Sequence, residues 1–177
     1  NILGNQISND LGMCSGGNVG KITLKVEEPE KGDEFSVGET INLEVEVENE
    51  NEDEIDFVVE VSLVDIKNNL TVESVESEVI EIEDKDSETF ELELDIPDDV
   101  EEENGHKLVI KAYEDGHEKS NCADARLDVK IERENEAVII DQIRITPSSV
   151  VCSEFVSAEV EIENVGIEDF ESVIIEF

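Results

Sequence analysis

The stretch from Gly38 to Asp65 (GETINLEVEVENENEDEIDFVVEVSLVD) alternates apolar and polar residues over most of its length, and that pattern leaves little choice of fold. Ile41, Leu43, Val45 and Val47 fall on one side of the chain. After an acidic loop, Asn49 to Glu54, the residues Ile55, Phe57, Val59, Val61 and Leu63 do the same. A period of two marks a strand with one buried face, whereas a helix would bury every third or fourth residue.

The pattern returns. Val156, Ala158, Val160 and Ile162 repeat the first strand 115 positions later, and both copies end it with Glu-Asn, at Glu48-Asn49 and Glu163-Asn164. A shift of one residue then sets Val173, Ile175 and Phe177 against Phe57, Val59 and Val61. A repeat of this length fits tandem β-sandwiches of roughly 100 residues each. The expected architecture is all-β: tandem immunoglobulin-like antiparallel β-sandwiches, the second one incomplete in this chain. Residues 1–20 are expected to form an N-terminal arm or linker, 21–133 the first sandwich, and 134–177 a linker with the first strands of the second.

Between the copies the same alternation recurs. Ile22, Leu24 and Val26 predict a strand up to Pro29, Val79 to Ile82 a short edge strand, and Phe90, Leu92, Leu94 and Ile96 a strand ending at Pro97. Asp98 to Gly105 reads as an acidic connection with room for one helical turn. Leu108, Ile110 and Ala112 predict the next strand, and Ala125, Leu127, Val129 and Ile131 the last, after a turn at Glu114 to His117. Seven or so strands make one sandwich. The linker Glu132 to Glu136 is too short to let two domains tumble freely.

Net charge excludes whole classes of partner. Asp and Glu number 50 against 12 Lys plus Arg, a formal charge of -38. Such a surface repels phosphate backbones and anionic headgroups, so neither nucleic acid nor direct membrane insertion is expected. It also repels itself, which points to a saline habitat or a cation-binding coat, since molar salt shortens the screening length to about 3 Å. No apolar run reaches the roughly 20 residues of a membrane span. A chain that begins at Asn1 reads as a processed or excerpted product, with any export signal or anchor outside it.

The three cysteines stand singly, without the paired spacing of a zinc site. Cys14 lies just before the first strand and Cys122 just before the last. In an immunoglobulin-type sandwich those strands commonly run side by side and parallel, which predicts a Cys14–Cys122 disulfide; two free thiols in a reducing cell are the alternative. Cys152 would then need a partner beyond Phe177 or on another chain. Asn69-Leu70-Thr71 is the one glycosylation sequon, making Asn69 the candidate acceptor.

Motifs for catalysis are missing. There is no nucleophile elbow, no HExxH and no phosphate-cradling glycine loop, and an enzyme is not expected. His106 and His117, the only histidines, each sit beside a turn and are expected to be solvated; a transition-metal site of His117 with Glu114 and Asp115 would rest on a single imidazole. The acidic runs Glu50-Glu52-Asp53-Glu54, Asp84-Asp86 and Asp98-Asp99-Glu101-Glu102-Glu103 could attract Ca2+, but none has the DxDxDG loop that converges six to eight oxygens. No cofactor is expected, and diffuse counter-ion attraction accounts for these runs better than a site.

Gly38-Glu39-Thr40-Ile41 through Asn49, and Pro147 to Glu154 through Asn164-Val165-Gly166, resemble the CARDB-like immunoglobulin-fold repeats of archaeal cell-surface proteins, S-layer proteins among them. Asn121-Cys122 and Val151-Cys152 add to the likeness. The first copy departs from it with Asn49-Glu50-Asn51 in place of Asn-x-Gly. The resemblance implies an exported, extracellular building block of an archaeal layer, sheath or filament, whose partners are copies of itself or other surface-layer subunits. A different expectation, of an extracellular adhesin or a cation- or glycan-binding module, rests on the acidic loops alone.

Overall fold

A computed structural model describes residues 11–146, 156–168, 170 and 172–175. Cys152 and residues 1–10 of the N-terminal arm lie outside the described residues. The first part of the chain forms β1 (Ile22–Glu28), β2 (Glu34–Ser36), β3 (Thr40–Asn49), β4 (Ile55–Asp65), β5 (Leu70–Glu76), β6 (Ile80–Ile82), β7 (Ser87–Asp95), β8 (His106–Glu114) and β9 (Cys122–Glu132). They make two sheets, β1-β3-β7 and β2-β9-β8-β4-β5, with β6 pairing the start of β4. All pairs are antiparallel except β2 with β9. A single 3-10 turn, Glu102–Asn104, interrupts the acidic connection before β8. The chain is thus an all-β protein built on an immunoglobulin-like sandwich.

The alternation buries the expected side chains. Ile41, Leu43, Val45 and Val47 of β3 and Phe90, Leu92 and Leu94 of β7 face Phe57, Val59, Val61 and Leu63 of β4 and Leu108 and Ile110 of β8. Each is at most 6% exposed. A fully buried Val, Leu, Ile or Phe contributes about 1.5–3 kcal/mol, so an aliphatic core of this size needs no tryptophan.

Three features come from the tertiary structure, the second and third of them against the pattern-based expectation. First, β3 and β4 are not neighbours: β3 pairs with β1 and β7, β4 with β5, β6 and β8, so the acidic loop between them crosses from one sheet to the other. Second, the strand parallel to the last one is the short β2, with Phe35 beside Ile131, while β1 sits in the opposite sheet. Third, β4 is buried on both faces, Ser62 and Val64 as well as Val61 and Leu63. The cover is the arm. Gly12 is seated so closely over the outer face of β4 and β8 that an added Cβ would stand 3.0 Å from Ser62 Oγ and 3.9 Å from Val109.

The outward face of β1-β3-β7 is a field of glutamates. Glu44 stands directly opposite Glu28 on one side and Glu91 on the other, all three exposed. Facing like charges destabilise a sheet by about 0.2–1 kcal/mol per pair. Glu44→Lys is therefore expected to raise the midpoint of urea unfolding at low ionic strength, an advantage that shrinks as salt is added. An equal midpoint for the two proteins at low salt would rule that repulsion out.

After β9 the chain forms β10 (Val138–Thr146) and β11 (Ser157–Asn164), an antiparallel pair of their own. Here the sequence repeat becomes a structural one. In the first copy the Glu50 N–H donates to the Lys21 carbonyl at 3.0 Å; in the second the Val165 N–H donates to the Ala137 carbonyl at 3.0 Å. Asn49 Nδ2 donates to the Asp53 carbonyl (2.9 Å) while its Oδ1 accepts the Asn51 N–H (3.0 Å). Asn164 does the same with Glu168 (2.9 Å) and Gly166 (3.0 Å). The shared Glu-Asn is a strand-end turn locked by an amide, a job that asparagine performs because it offers donor and acceptor together.

Candidate functional site

The loops gather at two poles of the sandwich. One pole holds the β3–β4 loop, the β6–β7 turn, the β8–β9 turn and the end of the arm; the other holds the Asp98–Gly105 connection and the junction with β10–β11.

At the first pole Cys14 and Cys122 are joined, Sγ to Sγ 2.05 Å, both at most 1% exposed. Val19 and Cys122 exchange backbone hydrogen bonds at 2.8 and 2.9 Å, so the arm adds a short bridge just ahead of β9. Asp124 Oδ2 accepts the Cys14 N–H at 3.2 Å. Gly20 has φ +83°, and a Cβ there would overlap Asn121 Oδ1, which accepts the Lys21 N–H at 3.1 Å. Only glycine fits. The arm is thereby fastened to the sandwich through its own backbone as well as through sulfur.

Two of the acidic runs meet at this pole. The Asn49 N–H donates to the Asp86 carbonyl at 2.9 Å, the Asn49 carbonyl accepts the Lys85 N–H at 3.0 Å, and Lys85 Nζ reaches the Glu50 carbonyl. Glu50, Glu52, Asp53, Glu54, Asp84 and Asp86 therefore share one end of the molecule. Their carboxylates do not converge: among the described residues no three His, Cys, Asp or Glu side chains come together in a way that could hold a metal ion. The third run, Asp98 to Glu103, lies at the opposite pole. His117 keeps an exposed ring, with Nδ1 3.2 Å from Glu114 Oε1, and Glu114 Oε2 also accepts from Asn121 Nδ2 at 2.6 Å. Asn69 lies in the turn between β4 and β5 with φ +53°, exposed along with Leu70 and Thr71.

His106 does not have the solvated ring expected of it. It opens β8 on the inward face, 3% exposed, with neither ring nitrogen hydrogen-bonded to any of the described residues. Asp65 lies directly across on β4 and Val129 across on β9. The Asp65 carboxylate accepts the Asn68 N–H (2.8 Å), Asn68 Nδ2 (2.8 Å) and Asn104 Nδ2 (2.7 Å). Burial lowers the His106 pKa below its ordinary 6.5, against the pull of the Asp65 charge. For Asp65, burial favours the neutral form, but the three donors and His106 outweigh it and hold its pKa below 3.8.

Both shifts act in the same direction on stability. A group whose pKa is depressed by folding contributes stability above its unfolded pKa and loses it as pH falls through the folded value. His106 is thus expected to withdraw stability as pH drops below about 6.5, and Asp65 below about 3.9. His106→Leu is expected to abolish the upper step with little loss at neutral pH, because replacing an orphan polar group by an apolar one is nearly neutral. Melting temperatures of both proteins between about pH 7 and pH 5 decide it, and an unchanged upper step in the variant would remove His106 from the account.

Two cations do more than their sequence positions suggested. Lys111, in the middle of β8, is 8% exposed; its Nζ lies 2.7 Å from Glu60 and 3.5 Å from Glu118, 4.8 Å from the centre of the Tyr113 ring. Burial, then the hydrogen bond that Tyr113 donates to Glu76, pushes the phenol pKa well above its usual value. The signal in the sequence was its place in Leu108-Val109-Ile110-Lys111-Ala112, directly after three consecutive aliphatic residues.

Arg133, read as part of a plain charged linker, is a clasp at the second pole. Its guanidinium donates to the carbonyls of Val165 (2.9 Å), Asp98 (2.5 Å) and Val100 (3.1 Å), while Glu102 accepts its backbone N–H at 3.2 Å. Val165 is 2% exposed and joins the sandwich core. Gly166 approaches so closely that a Cβ would lie 2.6 Å from the Ala137 nitrogen and 2.8 Å from the Asn135 carbonyl oxygen. The turn after β11 thus lies directly against the backbone of residues 135–137.

No helix among the described residues is long and apolar enough to cross a membrane. No family model and no curated protein matches the chain. Solved structures with a similar fold include the alkylpurine DNA glycosylase AlkC of Pseudomonas fluorescens (13% identity, TM-score 0.42, 63% of this chain and 31% of that one). The sporulation control protein Spo0M of Bacillus subtilis is another (14%, TM-score 0.45, 71% and 58%). A third is the CARDB domain of the PF1109 protein of Pyrococcus furiosus in complex with di-metal ions (15%, TM-score 0.39, 64% and 90%). The chain thus spans less than two thirds of the first two.

Proposed function

We propose that this chain is a structural component of an archaeal cell surface, a layer, sheath or filament in which immunoglobulin-like modules are joined end to end. The observation that carries the reading is the junction at Arg133. One guanidinium ties the linker, the Asp98–Val100 connection and the turn after β11 together, and Val165 plugs the end of the sandwich. A joint satisfied this fully transmits force and orientation, which is what a load-bearing array requires and a flexible tether does not. The chemistry of the surface supports the same reading: dispersed carboxylates and a disulfide-fastened arm. Export to an oxidising exterior agrees with a buried disulfide.

The test is location and assembly together. Intact cells of the source organism, probed with an antibody against this chain and imaged by immunogold electron microscopy, are expected to show label in an ordered array on the outside. Label confined to the cell interior would overturn the proposal, and surface label without any array would reduce it to a solitary surface protein.

A further inference from the structure

In the turn from β4 to β5 two remote segments are zipped together. The Ile66 N–H donates to the Gly105 carbonyl at 3.0 Å and the Lys67 N–H to the Asn104 carbonyl at 3.3 Å. The side chains continue the contact. Lys67 Nζ donates to Asn104 Oδ1 at 2.9 Å, and Asn104 Nδ2 donates to Asp65 Oδ2 at 2.7 Å. One carboxamide therefore holds an amine at its oxygen and a carboxylate at its nitrogen. Asp65 and Asn104 are each 7% exposed.

We infer that Lys67 and Asn104 join in an intramolecular amide, a side-chain cross-link that the folded chain makes for itself, with Asp65 as its catalytic carboxylate. The Lys67 amine, once it has given up a proton, attacks Cγ of Asn104. The Nζ–Cγ bond forms, the Cγ–Nδ2 bond breaks, and Nδ2 departs as ammonia. In sum, one ammonium group and one carboxamide become a secondary amide and an ammonium ion, with nothing oxidised or reduced and no co-reactant.

Three observations carry the inference. The first is distance. A C=O bond is only about 1.2 Å long, so an amine 2.9 Å from Oδ1 stands about 3–4 Å from the carbon that it attacks, at the edge of a reactive approach. The second is the place of Asp65. In the tetrahedral adduct the attacking and leaving nitrogens share one carbon, so a carboxylate bonded to Nδ2 takes a proton from Nζ and hands it to the departing nitrogen. Asn68 fixes that carboxylate through its N–H and Nδ2, both at 2.8 Å. Although burial disfavours its charge, the bonds from Asn68 and Asn104 and the nearby His106 hold its pKa below the ordinary 3.8, so Asp65 enters the reaction as a base. The third is burial itself, which keeps water, the rival nucleophile, away from the amide. The cross-link fastens the β4–β5 turn to one end of the acidic connection whose other end Arg133 grips at Asp98 and Val100.

Mass spectrometry of the full chain, with its disulfide reduced first, tests the bond. The chain is expected to be lighter than its sequence by one ammonia, and proteolysis is expected to release the peptides of Lys67 and Asn104 still joined. Lys67→Arg, which keeps charge and reach at an exposed position, is expected to restore the full mass and abolish the joined pair, with an unchanged circular dichroism spectrum. Asp65→Asn keeps an acceptor for Asn104 Nδ2 but takes no proton, and is expected to leave freshly purified chain largely unjoined. The full mass in the unaltered chain would overturn the cross-link. So would a loss of ammonia that persists in Lys67→Arg, because the nitrogen of Gly105 attacks the same carbon to give a succinimide. Joined peptides formed equally well in Asp65→Asn would overturn the assignment of the carboxylate. The reaction needs only the folded chain, so its outcome is independent of the proposed surface role.

Discussion

Replacing both Cys14 and Cys122 with serine, or reducing the bond between them, is expected to lower the stability of the sandwich by about 2–5 kcal/mol. The bond closes a loop with a sequence separation of 108 residues. In the chain-entropy treatment a loop of about 100 residues restricts the unfolded chain by about 4.7 kcal/mol, and the lower part of the range allows for residual structure in that state. For a domain of this size the melting temperature would fall by about 5–15 °C. The effect should be local as well as global. Once the sulfur link is cut, residues 11–20 are held by the Val19–Cys122 backbone pair, the Asn121 and Asp124 carboxamide and carboxylate bonds and the seat of Gly12 on Ser62. The arm is then expected to become the first site of proteolysis, with Ser62 and Val109 beneath it newly open to solvent. Calorimetry with and without reductant, followed by limited proteolysis, measures both. If oxidised and reduced protein melt together, the bond contributes nothing to this fold.

The second large effect concerns Asn49. Its side chain is fully buried and donates to the carbonyls of Asp53 (2.9 Å), Ile82 (3.0 Å) and Glu83 (3.2 Å) while accepting the Asn51 N–H. Asn49→Ala strands several backbone groups where water cannot replace the lost partner, at an expected cost of about 2–4 kcal/mol. Asn164→Ala deletes the equivalent amide in the second copy, where the side chain is exposed and, among the described residues, bonds to Glu168 and Gly166. There water substitutes, and the expected loss is below about 1 kcal/mol. Urea unfolding of the two variants side by side separates the repeated turn itself from its burial. Equal small losses would mean that the crossing of the β6–β7 turn over Asn49 adds no energy.

The alternation in Gly38–Asp65 was legible because a strand's side-chain period is a local property of the backbone, and the same is true of β1, β7, β8 and β9. The repeat of Glu48-Asn49 at Glu163-Asn164 was legible as a pattern of letters, and its meaning as an amide-locked turn followed from chemistry that asparagine carries with it. Which strands become neighbours is not local. Nothing in the loop Asn49 to Glu54 tells a hairpin from a crossing between sheets, because both return the chain in the opposite direction; the choice is made by the sheets that bury β3 and β4 on opposite sides of the core.

Single polar residues followed the same division. His106 looks like a turn residue in sequence, and it is buried because β4, β9 and the 3-10 turn close around it from distant parts of the chain. Arg133 looks like one charge among several in a linker, and its role arises only where three carbonyls from residues 98, 100 and 165 converge on it. The sequence by itself determined the class of fold, the aliphatic character of the core, the extreme negative charge and the repeated unit, all of which depend on composition and short-range periodicity. Only the tertiary structure decided the strand order, the buried histidine, the clasped junction and the contact of Asn104 with Lys67 and Asp65, because each depends on which distant segments meet and which groups that meeting removes from water.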